Sequence, residues 1–260
     1  MGVTQSDTAA LPPDFACAVG RLDELTAQFA AAAGRVARWD APVPTCPGWS
    51  VRELGLHLGT IHGWAAAAIG AEHAPADPPF DGEGMPLPAW YRSRSASLVE
   101  ALRAAGPEAP AWTLWGDRVA AFWARRQLHE TAVHAYDLSV ALAAGAGEPA
   151  PWSVPDAVAL DGLREVIAGF YPRQVRLGRT AGLPGVVRFE VRTDRGEPLA
   201  SLEAPALGAD SSTNDGGAAP ELGTVAGTAA ELYLAVWGRG PYPGASEDLA
   251  AAIRAARLTP

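Results

Sequence analysis

The sequence contains no lysine; all twenty of its Lys and Arg positions are arginine. Against 29 Asp and Glu residues this leaves a net charge of -9 and no basic cluster. The chain therefore has no electrostatic reason to hold nucleic acid or an anionic membrane. Cysteine is scarce as well. Cys17 and Cys46 form no CxxC pair, and both are expected to be free thiols in a reducing cytoplasm. No apolar stretch approaches the roughly 18 to 20 residues needed to cross a bilayer. Residues 1–13 have neither the basic flank nor the apolar run of a signal peptide, so they read as a short disordered leader. A cytoplasmic location is the expectation. The 48% hydrophobic and 19% charged composition is that of a globular protein.

What is present is helical periodicity. Phe15, Val19, Leu22, Leu25, Phe29, Ala32 and Val36 recur at helix spacing, predicting a helix over 15–39. The segment DAPVPTCPGW, residues 40–49, must be a loop. A second helix then starts on a capping box, with Ser50 as cap and Glu53 three residues later, and runs to about Gly70. A third helix is expected over 89–105 and a fourth over about 117–144. The first 150 residues thus read as four helices with one long crossover, a four-helix bundle. Beyond them the texture changes. A helix is expected over 152–170 with Ser153 as its cap, and a hairpin from 186–192 and 199–203. Residues 208–217 read as a polar, Gly-rich loop and 224–225 as a short strand, with helices over 228–237 and 247–257. The domains expected are 14–150, a mainly α bundle, and 151–260, a small α+β module.

The chemistry concentrates on the fourth helix. Glu130 and His134 lie four residues apart, about 40° around the axis and one turn along it. Carboxylate oxygen and imidazole nitrogen from one helix face can share one divalent ion. His129 diverges from His134 by about 140° and reads as a packing or supporting residue. On the second helix, His57 follows Leu54 by three and shares its inward stripe, whereas His62 falls off it. His57, Glu130 and His134 would leave at least one coordination position open, as catalytic sites do. The plainer alternative is an ordinary i,i+4 pair and a satisfied core histidine.

At these residues the chain resembles a known family. Val43–Leu54 (VPTCPGWSVREL) followed by His57-Leu58 is similar to the signature of mycothiol-dependent maleylpyruvate isomerase family enzymes, members of the DinB-like bundle superfamily. Arg125-Arg126, His129-Glu130-Thr131-Ala132-Val133-His134 and Asp137 match a second signature. Gly227, Leu232 and Trp237-Gly238-Arg239 resemble the family's small C-terminal domain. The resemblance implies a DinB-like metal-binding bundle, with a divalent ion, usually zinc, on His57, Glu130 and His134. Where the superfamily often has three histidines, Glu130 points to the mycothiol-using branch. Arg239 corresponds to a family arginine that binds an anionic substrate or the thiol; a solvated arginine at a helix end is the alternative. Of Arg125 and Arg126, one is expected to orient a carboxylate. Arg126 and Arg239 are the candidate catalytic residues.

The implied partners are a low-molecular-weight thiol, mycothiol, and a small-molecule electrophile, acted on by a monomer or homodimer. The products would be a thiol conjugate or a trans isomer. A metal-dependent hydrolase using activated water, and a non-catalytic small-molecule-binding protein, remain as alternatives.

Overall fold

The helix starts show how local sequence sets the architecture. In a computed structural model, which describes residues 14–77, 81–208 and 219–260, helix α1 spans Phe15–Ala33 with the Asp14 carboxylate accepting from Cys17 N. Helix α2, Val51–Ala68, begins on the expected capping box: Ser50 Oγ accepts from Glu53 N and Glu53 accepts from Ser50 N. Helix α3 is Leu87–Ala105, and α4 is Ala120–Ala141, passing into one π turn over Leu142–Ala146. Two expected bounds need correction. The first helix stops at Ala33 rather than at residue 39, because Arg35 to Arg38 turn aside to bond with Ala146 and Glu148. The fourth starts at Ala120, since Ala111 N takes Arg118 O and Ala120 N takes Ala109 O.

The chain divides into two compact units, Pro13–Ser153 and Val154–Pro260. In the first, α1 packs on α3 and α4, and α2 on α3 and α4. Phe29, Leu54, Leu58, Trp90, Tyr91 and Leu138 form its core. The α2–α3 contact is close at Gly59, where a Cβ would come within 2.4 Å of the Trp90 ring.

In the second unit, α5 (Asp156–Glu165) continues through a π turn into α6 (Tyr171–Arg176). Ser153, the cap expected from sequence, does not cap this helix. The helix begins after Pro155, whose fixed φ suits an entry that needs no side-chain cap. A three-stranded sheet of order β2-β1-β3 follows, with β1 Val186–Arg192 and β2 Pro198–Ala204 antiparallel. Strand β3, Glu221–Thr228, runs parallel to β1 and is far longer than the two residues expected. Its Gly223 and Gly227 mask it in a propensity reading, and pairing along β1 supplies the ordering instead. Thr228 then caps α7 (Ala229–Val236), and Ser246 caps α8 (Glu247–Ala256). Val187, Phe189, Val225, Leu232 and Tyr233 are buried here. The expected leader over 1–13 and all but Gly208 of the expected loop over 208–217 lie outside the described residues.

No helix is long and apolar enough to cross a membrane among the described residues. Both cysteines are free thiols, Cys17 exposed and Cys46 buried.

Candidate metal centre

Helices α2 and α4 bring His57, Glu130 and His134 together. His57 Nε2 lies 3.0 Å from Glu130 Oε1, and His134 Nε2 lies 3.3 Å from the same oxygen. The three donor atoms all fall within 4.8 Å of one another. Ligands about 2.0 to 2.1 Å from a tetrahedral ion sit roughly 3.3 Å apart, so this spacing suits a shared divalent cation. The donor set, two imidazoles and a carboxylate, is one that zinc and its first-row neighbours accept.

The surrounding charges hold the trio in place. Arg126, one turn before Glu130 and 2% exposed, gives an Nη2 hydrogen bond to Glu130 Oε2, leaving Oε1 to the histidines. Burial alone would raise the Glu130 carboxyl. The Arg126 charge and hydrogen bonds from His134 and His57 outweigh it and hold Glu130 well below the usual carboxylate range. Burial likewise works against a charged His134, but its hydrogen bonds to Asp137, Cys46 and Glu130 prevail and raise its pKa well above the ordinary value. Arg126 therefore orients a carboxylate, that of Glu130.

Trp49, from the loop before α2, meets both ligand rings, at 4.8 Å from His57 and 5.9 Å from His134. It thereby walls the centre. Trp123 instead belongs to an aromatic cluster with Trp64, Trp112 and Phe122.

The assignment of faces on α2 needs correction. His57 was expected on the inward stripe and His62 off it. In fact His62 is fully buried, while the His57 side chain keeps 31% of its surface exposed. The reason is that α2 packs against two helices, so its buried arc is wider than the Leu54–Leu58 stripe and includes the direction of Thr131 and Tyr91. His129 is fully buried. Arg239 follows α7 in the second unit, where its Nη1 donates to Trp237 O at 2.7 Å.

Three supporting residues, Thr45, Cys46 and Asp137, lie within the two signature segments, where residue type alone gives none of them a role at the centre. Asp137 sits three residues beyond His134 and accepts from its Nδ1 at 2.8 Å. The i,i+3 spacing of His134 and Asp137 was the available signal.

The family profile described as the mycothiol maleylpyruvate isomerase N-terminal domain matches residues 20–139, and that described as the MDMPI C-terminal domain matches residues 157–259. The chain belongs to the mycothiol-dependent maleylpyruvate isomerase family. It is an enzyme of that family by both of its domains. Among solved structures it is similar to mycothiol-dependent maleylpyruvate isomerase, at 16% identity and a TM-score of 0.55, covering 88% of this chain and 90% of that one. A histidine-to-alanine variant of that isomerase aligns at 14% identity and a TM-score of 0.57, with the same coverage. At such identities the likeness is one of fold. No curated protein matches the sequence significantly.

Proposed function

We infer that the protein uses a divalent ion, zinc by its donor set, to activate mycothiol or a similar small thiol for addition to an electrophilic small molecule. The reaction ends in a thiol conjugate, or in a trans isomer when the new C–S bond breaks again after rotation about the former cis double bond. The observation that carries this reading is the convergence of His57 Nε2, Glu130 Oε1 and His134 Nε2 beside a family match that covers both units. When bound, a divalent ion lowers the pKa of a thiol that reaches it, so that thiolate is available at neutral pH.

The residues of the chain do the rest. Three protein ligands leave a position for an incoming group. Arg126 holds one oxygen of Glu130 and so presents the other; it acts by positioning. Trp49 restrains the two imidazoles and gives the centre an apolar wall. To Arg239 we assign the binding of an anionic group on the thiol or the electrophile. A thiol co-substrate and the lack of a spanning helix among the described residues suit a cytoplasmic protein.

The test is elemental analysis of purified wild type beside His57→Ala and His134→Ala, followed by calorimetric titration with mycothiol. One divalent ion per chain, lost in both variants, with thiol binding that releases a proton, is the expected result. An ion without thiol binding, and turnover with water alone, would make the protein a hydrolase. Absence of an ion from the wild type would refute the reading.

A further inference from the structure

Asp137 is fully buried, and its carboxylate receives hydrogen bonds from three side chains. Thr45 Oγ1 donates to Oδ1 at 2.6 Å; Cys46 Sγ at 3.2 Å and His134 Nδ1 at 2.8 Å both reach Oδ2. An ionised carboxylate only accepts, so each of these partners must present a hydrogen. That assigns the hydroxyl proton, the thiol proton and the ring proton together. For His134 it fixes a hydrogen on Nδ1, so that Nε2, 3.3 Å from Glu130 Oε1, is the nitrogen that would give its lone pair to a bound ion.

Cys46, His134 and Asp137 also have one donor atom each within 4.8 Å of one another, so the same contacts admit a rival arrangement in which Cys46 is itself a ligand. Two contacts count against it. A cation on Nδ1 would displace the hydrogen that Asp137 accepts at 2.8 Å, and it would turn Cys46 from a donor into an anion beside a buried carboxylate. The Thr45 hydroxyl, meanwhile, already engages the other carboxylate oxygen.

The loop that carries Thr45 and Cys46 is pinned independently of the centre. Val43 N donates to Trp49 O, Cys46 N to Val43 O, Trp49 N to Cys46 O, and Val51 N to Ala41 O, all between 2.8 and 3.0 Å. Gly48, with φ at 86°, closes the turn in a conformation that favours glycine. One short loop thus sets two side chains on Asp137 and a third, Trp49, against the ligand rings.

We propose that Asp137, clamped by Thr45 and Cys46, is a positioning residue that fixes the ring form and direction of His134 in the metal centre. The inference rests on the ligand trio proposed above. Outer partners of this kind typically contribute about 10- to 100-fold in metal affinity.

The experiment measures zinc affinity by competition with a chromophoric chelator, for wild type and for Asp137→Ala, Asp137→Asn, Cys46→Ala, Cys46→Ser, Thr45→Val and Thr45→Ser. Circular dichroism checks the fold of each. In parallel, long-range proton–nitrogen spectra of the histidine rings are recorded on zinc-free protein and read for the hydrogen on His134 Nδ1. Zinc binding about 10- to 100-fold weaker in Asp137→Ala is expected. Smaller losses are expected in Cys46→Ala and Thr45→Val, restored by serine at either place. His134 carries a hydrogen on Nδ1 in wild type, and the signature of its bond to Asp137 is lost in Asp137→Ala. If Asp137→Ala does not fold, Asp137→Asn and the wild-type spectrum decide. Unchanged zinc affinity in the Asp137 variants, or a wild-type His134 with no hydrogen on Nδ1, overturns the proposal. Loss of zinc in Cys46→Ser as complete as in His134→Ala also overturns it, since Cys46 would then be a ligand. Failure of wild type to bind zinc would refute the ligand trio instead, and the ring spectrum alone would then judge the clamp.

Discussion

Trp49 stacks on His134, with ring centroids 5.9 Å apart and planes 22° from parallel. The same indole lies 4.8 Å from the His57 ring, and the two imidazoles meet edge-on at 5.0 Å. The aromatic wall therefore restrains both histidines from one side. Trp49→Ala should weaken zinc binding by about fivefold, in keeping with roughly 1 kcal/mol for an aromatic contact, and Trp49→Phe by less. Chelator competition measures this directly. Wild-type affinity in Trp49→Ala would show that the indole does not hold the rings.

Arg126 and Glu130 form an ion pair whose side chains are 3% and 15% exposed. Removing one partner of such a pair leaves an uncompensated buried charge and costs about 3–5 kcal/mol. Arg126→Leu should therefore lower the melting temperature of zinc-free protein, and added zinc should restore part of the loss by meeting the Glu130 carboxylate. Thermal melts with and without zinc test both halves. A variant that melts like wild type without the ion would remove Arg126 from this role.

His62 gives the fold an acid-sensitive point. Thr131 Oγ1 gives its hydrogen to Gln127 O at 2.7 Å, so the 3.1 Å contact from His62 Nε2 requires a ring proton there. Burial pushes the His62 pKa down to about 3 from 6.5, with only partial opposition from the Glu130 charge. Below pH 6.5 the unfolded chain takes up a proton that the folded chain refuses. Stability is then lost as pH falls from 6.5 toward 3. His62→Gln, which cannot titrate, should flatten that acid limb in urea unfolding at successive pH values. An unchanged slope would assign the acid sensitivity elsewhere.

Gly59 sets two effects against each other. Alanine would improve helix propensity by about 1 kcal/mol. Its methyl would also fall within 2.4 Å of the Trp90 ring, which is 2% exposed and cannot swing away. Overpacking of this kind costs about 1–3 kcal/mol, so Gly59→Ala should destabilise the bundle on balance. Chemical denaturation checks the sign.

The features legible in sequence were those set by local rules. Ser50 and Glu53 declare the start of α2, and the i,i+4 spacing of Glu130 and His134 places both on one helix face. Features set by tertiary contact were not. His62 turned out to be buried because α2 has two packing partners, which a single apolar stripe does not reveal. Strand β3 extends through two glycines because β1 pairs with it along its length. The bonds from Thr45 and Cys46 to Asp137 span 92 and 91 positions, and only the folded loop brings these residues together.

The central claim is that His57, Glu130 and His134 hold the ion and that Cys46 does not. X-ray absorption at the zinc edge tests it most directly on zinc-loaded protein. The expected coordination in the resting protein is nitrogen and oxygen only, gaining one sulfur when mycothiol is added. A sulfur already present in the resting protein, or a shell unchanged in His57→Ala, would contradict it.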